Sequence, residues 1–262
     1  MTLKNKNRIF LGIINLAILI TLFLVGLWPF RFWPENKVEW LKDKNGIRFH
    51  KPGIIYSPEP LKVSAQNPLH NGEITIDIWL QPETEPAHGI AHILTFFDGT
   101  RSENLILAQW KSWLIIRSKN ITSPNRKKYK EFGAANALQK GKLRFITITS
   151  GKSGASIYLD GSLAKVYPNY RLSVENQRTL GNLILGNSST GKNPWKGNIK
   201  GLAIYNNFLK PSQVSHNYTT WQETGSPLLS EDDGIIALYL FNDENGNSVR
   251  DRSHRQNELI IP

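Results

Sequence analysis

Short stretches in which apolar and polar residues alternate recur along most of the chain after residue 46. In EITIDIWL, residues 73–80, four aliphatic side chains share one face, and the other face carries Glu73, Thr75, Asp77 and Trp79. A period of two is typical of antiparallel strands that bury one face. The same pattern recurs in GIRFHKPGIIYS (46–57), HILTFFDG (92–99), NLILAQWKSWLIIRS (104–118), LRFITITSGKSGASIYLDGSLAKVY (143–167), LGNLILGNS (180–188), GNIKGLAIYN (197–206) and GIIALYLFND (234–243).

Repeated short strands joined by turns predict an all-β fold, a two-sheet antiparallel jelly-roll sandwich over residues 46–262. Asp160-Gly161 predicts a tight hairpin, because both residues tolerate a positive φ. One helix is predicted to begin at Pro211, with Val214 and Tyr218 on one face. The alternating polar positions of residues 73–79 are expected to face outward, and residues 118–136 and 221–233 are predicted to be long loops.

The first 45 residues follow a different pattern. Residues 9–30 contain no charge and exceed the roughly 20 apolar residues that cross a bilayer core. They end in aromatic residues rather than a cleavage site, which favours an uncleaved anchor over a signal peptide. The prediction is a cytoplasmic tail (1–8), a transmembrane helix (9–30) and a juxtamembrane connector (31–45). The protein would be single-pass in the cell inner or plasma membrane, with its sandwich periplasmic or extracellular.

Composition narrows the function classes. The chain has 262 residues, no cysteine and a formal net charge of +11. The lack of cysteine excludes thiol nucleophiles, disulfides and zinc–cysteine sites. The charge favours anionic surroundings, yet the basic residues are scattered, with one dense cluster at Arg126, Lys127, Lys128 and Lys130. No nucleic-acid-reading element accompanies that cluster, so nucleic acid is not predicted as a partner.

Four segments, in this order, resemble the bacterial laminin-G-like, concanavalin-A-like lectin/glucanase superfamily. They are EITIDIWLQP (73–82), GKLRFITITSGKSGASIYLDGSLAKVY (141–167), WKGNIKGLAIYNNFLKPSQVSHNY (195–218) and IIALYLFNDENGNSVRDRSHRQNELIIP (235–262). Many relatives carry Asp-Glu where this chain has Lys200 and Gly201, which weakens any acidic or calcium-linked role there. In the last of these segments the resemblance implies a strand, a glycine turn and an Asp-Arg-Ser. The whole layout is similar to proteins in which such a domain is joined to a VanZ-like membrane domain.

Carboxylates and histidines are the first candidates for chemistry. Glucanases of the superfamily use two carboxylates, and Glu73 and Asp77 are the pair available here. The alternation of the strand places polar residues on its outward face in any case, which accounts for both carboxylates without catalysis. No catalytic residue is therefore predicted. His88 and His92 are interpreted as exposed loop residues rather than metal ligands, and His216 as a surface residue of the predicted helix.

Turns and tryptophans supply the remaining candidates. SGKSG, residues 150–154, is interpreted as a turn between strands, since it lacks phosphate-loop spacing. Asp98 and Asp160 could ligate calcium, but single Asp-Gly turns lack the six to eight oxygens that calcium takes. No cofactor or metal is therefore predicted, with calcium the alternative. Trp110 and Trp113 either point to opposite faces of a strand or flank a turn; with one of them exposed, they are the ligand-binding candidates, by sugar stacking.

The sequence thus favours a membrane-anchored binding or scaffolding domain that recognises cell-envelope glycan. Its partners would be a glycan or an envelope protein, together with the lipid membrane. Two alternatives stay open: a glycan hydrolase with an atypical carboxylate pair, and a docking domain for a VanZ-like membrane partner. The stretch 193–218 is interpreted as the segment that closes the sandwich, with Gly197 and Gly201 permitting close backbone approach.

Overall fold

The structure, a computed structural model, describes residues 3–27, 35–42, 44–50, 52–63, 73–99, 103–119, 129–172, 180–227, 234–253 and 255–262. The chain divides into two units, Met1–Glu35 and Asn36–Pro262. The first unit contains helix α1 (Leu3–Leu27), and the second contains every strand and a second helix.

Helix α1 occupies most of the predicted membrane segment, and its described side chains from Phe10 to Phe23 are exposed. Residues 28–30 of that segment lie outside the described residues. A membrane span needs about 20 consecutive apolar residues. Over the part of the chain that the structure describes, no helix has the combined length and apolar character to cross a membrane. This finding overturns the predicted transmembrane helix and the single-pass localisation derived from it.

The second unit is built almost entirely from strands. Its elements are β1 (Val38–Trp40), β2 (Ile47–Phe49), β3 (Ile55–Tyr56), β4 (Ile74–Pro82), β5 (Ala91–Phe97), β6 (Glu103–Trp110), β7 (Trp113–Lys119), β8 (Tyr129–Ala134), β9 (Arg144–Gly151), β10 (Gly154–Leu159), β11 (Ser162–Tyr167), β12 (Asn182–Leu185), β13 (Gly197–Tyr205), α2 (Pro211–Thr224), β14 (Ile235–Tyr239), β15 (Ser248–Val249) and β16 (Leu259–Ile260).

The strands form two sheets. The first has the order β1-β2-β13-β4-β9-β10-β11, with β14 also paired to β13, and the second has the order β15-β16-β3-β12-β5-β6-β7-β8. The strand pairs within both sheets are antiparallel. The all-β, two-sheet antiparallel prediction is therefore confirmed and is consistent with a jelly roll.

The main core lies between the two sheets. On β4, the alternation predicted from the sequence is realised, with Ile74, Ile76, Ile78 and Leu80 in this core. The predicted hairpin also forms: Asp160 and Gly161 join β10 to β11 with positive φ values of 51° and 75°. SGKSG forms the β9–β10 connection, as predicted.

Helix α2 covers the other face of the first sheet and creates a second, smaller core. It begins at Pro211, as predicted, and buries Val214 and Trp221 against Phe145 and Tyr205 of the sheet. The polar face of β4 was expected to face outward. That expectation is wrong for Thr75 and Asp77, which are both fully buried. The alternation along a strand predicts which face a side chain occupies, but it does not predict whether another element covers that face.

Both predicted loops contain regular structure. β7 extends to Lys119 and β8 occupies Tyr129–Ala134, while residues 120–128 lie outside the described residues. β8 is polar because it lies at the sheet edge, where only one neighbouring strand is present. Helix α2 continues to Thr224 and ends at Gly225, whose φ of 77° suits a glycine cap. Strand β1 lies in the predicted connector and pairs with β2.

The close packing of α2 depends on Gly201 in the middle of β13. A methyl group at this position would lie 2.3 Å from the Trp221 ring. We expect Gly201→Ala to lower the free energy of unfolding by about 1–3 kcal/mol through overpacking, measured by urea denaturation. Adding Trp221→Phe should recover part of the loss, because the smaller ring makes room. If Gly201→Ala lowers the free energy of unfolding as much in the Trp221→Phe variant as in the wild type, the result would contradict this packing explanation.

Candidate functional site

Two exposed tryptophans stand at the end of the β6–β7 hairpin. Trp110 and Trp113 are directly opposite each other across the strand pair, and Lys111 and Ser112 form the turn between them. Directly opposed residues of an antiparallel pair project to the same face, with Cβ atoms roughly 5 Å apart. Trp110 is 40% exposed and Trp113 42%. The sequence alternative in which they flank a turn is confirmed, the opposite-face alternative is wrong, and both side chains are exposed rather than one. We call the pair the tryptophan platform.

The platform is fixed from inside by Gln109. This side chain is fully buried and its Nε2 lies within hydrogen-bonding distance of the backbone oxygens of Thr84 (2.9 Å), Lys111 (2.8 Å) and Leu138 (3.3 Å). Its Oε1 accepts a 2.7 Å hydrogen bond from Trp195 Nε1. One buried amide therefore connects three surface turns to the core. The sequence carries no signal for this role, since an isolated Gln-Trp pair has no characteristic spacing.

Trp195 holds Gln109 in place from the segment that closes the sandwich. Its side chain is fully buried and contacts Phe49, with ring centroids 6.1 Å apart. Gly197 is necessary beside it, because a Cβ there would lie 2.4 Å from the Trp195 ring. The prediction that 193–218 closes the fold is consistent with this burial. The structure adds that the same stretch supports the platform.

A second turn, residues 135–143, braces the platform from the side. The Leu138 amide donates to the Ser112 carbonyl at 2.9 Å, and Ser112 Oγ donates to Asn136 Oδ1 at 3.2 Å. The same turn is bonded to the end of β4, where the Gly141 amide donates to the Pro82 carbonyl at 2.7 Å. These bonds leave the hairpin turn little freedom, so the tryptophans are presented on a rigid support.

The middle of the second sheet's outer face is packed with apolar side chains. Ile106, Ala108 and Ile115 point away from the main core and are buried in a separate cluster, with Ile90 and Tyr129 packed against it.

His92, interpreted from the sequence as an exposed loop residue, is buried in β5. Its Nδ1 lies 3.2 Å from Thr95 Oγ1 and 4.0 Å from Glu103 Oε2. Burial lowers the pKa of His92, and Glu103 opposes this shift. Glu103 also accepts hydrogen bonds from the Ser189 backbone amide (2.9 Å) and hydroxyl (2.8 Å). These contacts fasten the loop after β12 to the sheet, which is a structural role.

The remaining histidine and aspartate candidates from the sequence are His88, His216, Asp98 and Asp160. His88 and His216 are exposed, as predicted. Asp160 accepts hydrogen bonds from the Arg144 guanidinium and the Phe145 amide, and Asp98 lies 3.9 Å from Lys119 Nζ. Among the residues whose placement is described, no three acidic or histidine side chains cluster as metal ligands. Of the predicted basic cluster, residues 126–128 lie outside the described residues.

Asp77, one of the two candidate carboxylates, is enclosed beneath α2. Its Oδ1 accepts a 2.5 Å hydrogen bond from Thr147 Oγ1, and its Oδ2 accepts one from Asn217 Nδ2 at 3.2 Å. Burial raises the pKa of Asp77 from 3.8 to about 6, while hydrogen bonds from Thr147, Asn217 and Tyr205 act in the opposite direction. Glu73 lies four positions away, about 13 Å along an extended strand. A glycan could reach Asp77 only if α2 moved.

Comparison with known proteins gives one family match. A family model described as the concanavalin A-like lectin/glucanases superfamily matches residues 59–215, a range that includes the tryptophan platform and Trp195. It ends within α2 and gives no support to the VanZ-like layout. No curated protein matches the chain.

Several solved structures are similar to this chain. A candidate carbohydrate-binding protein from Bacteroides ovatus is 11% identical, with a TM-score of 0.56 over 83% of this chain and 59% of that one. The chain therefore spans 59% of that protein's length. A SAP-like pentraxin from Limulus polyphemus is 13% identical, with a TM-score of 0.47, 78% of this chain and 94% of that chain covered. A sialidase carbohydrate-binding module from Ruminococcus gnavus, bound to α2,3-sialyllactose, is 14% identical, with a TM-score of 0.46 over 66% of this chain and 95% of that one. The likeness to the Bacteroides ovatus protein, at 11% identity, is one of fold alone.

The raised pKa of Asp77 predicts a pH dependence of stability. Between about pH 4 and pH 6 the folded chain keeps a proton that the unfolded chain has lost. Stability should therefore fall as pH rises through this window, by roughly 3 kcal/mol in total from this group. Urea unfolding across pH 4–7 measures the slope. Asp77→Asn should flatten it.

Thr147→Val provides the matched check on the same carboxyl. It removes a hydrogen bond that favours the charged form, so the upper end of the descending window should move to higher pH while its lower end stays near pH 4. A slope that persists unchanged in Asp77→Asn would show that another group is responsible.

The buried Trp195 and the exposed Trp113 should differ in how much each contributes to the free energy of unfolding. Trp195→Phe leaves the buried Gln109 Oε1 without its donor, and we expect a loss of about 1–3 kcal/mol in the free energy of unfolding. Trp113→Phe is the matched exposed change and should cost less than about 0.5 kcal/mol. Urea denaturation measures both, and equal costs would contradict the role assigned to Trp195.

Proposed function

Because the chain belongs to the concanavalin A-like lectin/glucanase superfamily, we propose that it binds glycan, with Trp110 and Trp113 as the residues that contact the sugar. The observation that supports this proposal is the pair of exposed tryptophan side chains on one side of a braced hairpin. Gln109, Ser112 and Asn136 beside the platform are hydrogen-bonded within the fold, and the two aromatic side chains offer apolar surface to a ligand.

Tryptophan suits this role for physical reasons. Its ring combines a large apolar face with an indole N–H, so it can pack against the C–H face of a sugar ring while the sugar hydroxyls stay hydrated. Exposed large apolar side chains that lie next to each other are typical of interaction sites on soluble domains. Two such rings side by side offer room for more than one sugar unit, which favours an oligosaccharide as ligand.

The rigidity of the support adds to affinity. Binding loses free energy when side chains and loops must be ordered on contact with the ligand. Here Gln109, Trp195 and the turn at 135–143 order the hairpin before any ligand arrives. The ordering cost is therefore part of folding, and the binding step retains more of the stacking energy.

The proposal is tested with Trp110→Ala and Trp113→Ala in the full chain. Each change should weaken glycan binding by about 1–2 kcal/mol, or roughly 5- to 30-fold, because one stacking surface is lost. Affinity electrophoresis through gels that contain a panel of polysaccharides identifies a bound glycan, and titration calorimetry then measures the affinity of each variant.

Leu163→Ala is the matched control, since Leu163 is an exposed apolar residue of β11. Binding that survives both tryptophan changes, or that falls equally with Leu163→Ala, would overturn the proposal. The same samples are assayed for reducing-end release. Release by the wild-type chain that Asp77→Asn or Glu73→Gln abolishes would favour the hydrolase alternative instead.

A further inference from the structure

We infer that the glycan is acidic, with carboxylate or sulfate groups beside the sugar ring that contacts the tryptophan platform. This inference rests on the proposed function and extends it, because it names the ligand class from the charges around the site. The charges are those of the hairpin turn and of the turn at 135–143.

The first charge lies on the platform itself. Lys111 Nζ is 5.2 Å from the centroid of the Trp110 ring. The ammonium group therefore lies over the Trp110 ring itself, within the surface that a sugar would contact. An acidic substituent on that sugar would meet the ammonium group without any movement of the backbone. Cations over tryptophan faces contribute about 0.5–1 kcal/mol at exposed sites, so Lys111 is also held near this position when no ligand is present.

Two further lysines stand on the turn that braces the platform. Lys140 and Lys142 are exposed, and their turn is bonded to the hairpin through the Leu138 amide and the Ser112 carbonyl, 2.9 Å apart. For the residues that the structure describes, no ion pair involves Lys111, Lys140 or Lys142. All three ammonium groups are thus available to an anion.

Acidic residues near this end do not cancel the charge. Glu85 accepts a hydrogen bond from the Lys140 backbone amide at 3.2 Å, so one carboxylate lies beside the turn. Glu83 is already matched by Arg48 at 2.9 Å and by Lys196 at 3.5 Å. The two turns carry three lysines and no acidic residue, so with Glu85 beside them their formal charge is +2, three lysines less one carboxylate.

The expected effect is selectivity rather than high affinity. Exposed charge pairs contribute little individually, and salt screens them over about 8 Å at physiological ionic strength. A neutral glycan would still stack on the tryptophans, whereas an acidic glycan would gain from three nearby cations. The net charge of +11 also attracts any polyanion, so the test must separate the local charges from the total.

The probe is polygalacturonate, and the matched neutral probe is the same polymer after reduction of its carboxyl groups. We expect the full chain to bind the acidic polymer more tightly, by about tenfold, and to lose this preference in about 0.5 M NaCl. The double variant Lys140→Gln/Lys142→Gln should lose about fivefold in affinity for the acidic polymer and little for the neutral one. The control is Lys152→Gln/Lys165→Gln, which removes the same charge from the β9–β10 turn and β11.

Each outcome decides between the claims. Equal binding of both polymers, with dependence on Trp110 and Trp113, would overturn the acidic-ligand inference and leave the proposed function standing. Binding that neither tryptophan affects would overturn the proposed function itself. An equal loss in the control variant would show attraction by total charge and overturn the inference. Tighter binding of single-stranded DNA than of the polymer, with the same lysine dependence, would identify nucleic acid as the ligand instead.

Discussion

The hydrogen bond from Trp195 Nε1 to Gln109 Oε1 connects the interior of the sandwich to the exposed pair Trp110 and Trp113. Both partners are fully buried, and a buried amide without partners costs about 1–3 kcal/mol. Gln109 must therefore keep its set of contacts, and those contacts fix the hairpin turn and two neighbouring turns. Gly197 leaves the space that the Trp195 ring fills. The position of the platform thus follows from packing in the core rather than from the loops around it.

The first sheet shows how a polar strand face can be structural. Thr75 and Asp77 lie under α2, and the carboxyl of Asp77 is enclosed by hydrogen bonds from Thr147 and Asn217. Asp77 joins the helix to the sheet through these hydrogen bonds. Its burial removes the carboxyl from water, and this desolvation raises its pKa. One sheet is therefore covered by a helix. The other sheet ends at the platform, which is the surface that we propose meets a ligand.

The alternation of apolar residues predicted the strands β2–β7 and β9–β14, and the Asp160-Gly161 turn predicted its hairpin, because these signals are local. The short edge strands β1 and β8 were missed, since an edge strand buries less and shows less alternation. The burial of Asp77 was missed because only the three-dimensional arrangement reveals that α2 covers the strand. The apolar run at residues 9–30 predicted a membrane anchor, and no described helix qualifies as a span.

For the candidate site, AQWKSW identified the tryptophans and left their relative orientation open. The role of Gln109 could not be predicted, since three of its four partners, Thr84, Leu138 and Trp195, come from distant parts of the chain.

The most direct measurement is ¹⁹F NMR of the chain labelled with 5-fluorotryptophan, titrated with a glycan that binds. The account predicts that the resonances of Trp110 and Trp113, assigned by substitution, shift as the ligand is added, while that of Trp195 stays in place because its core is already ordered. Saturable binding that shifts other tryptophans and leaves Trp110 and Trp113 unchanged would contradict the central claim that this braced hairpin is the binding surface.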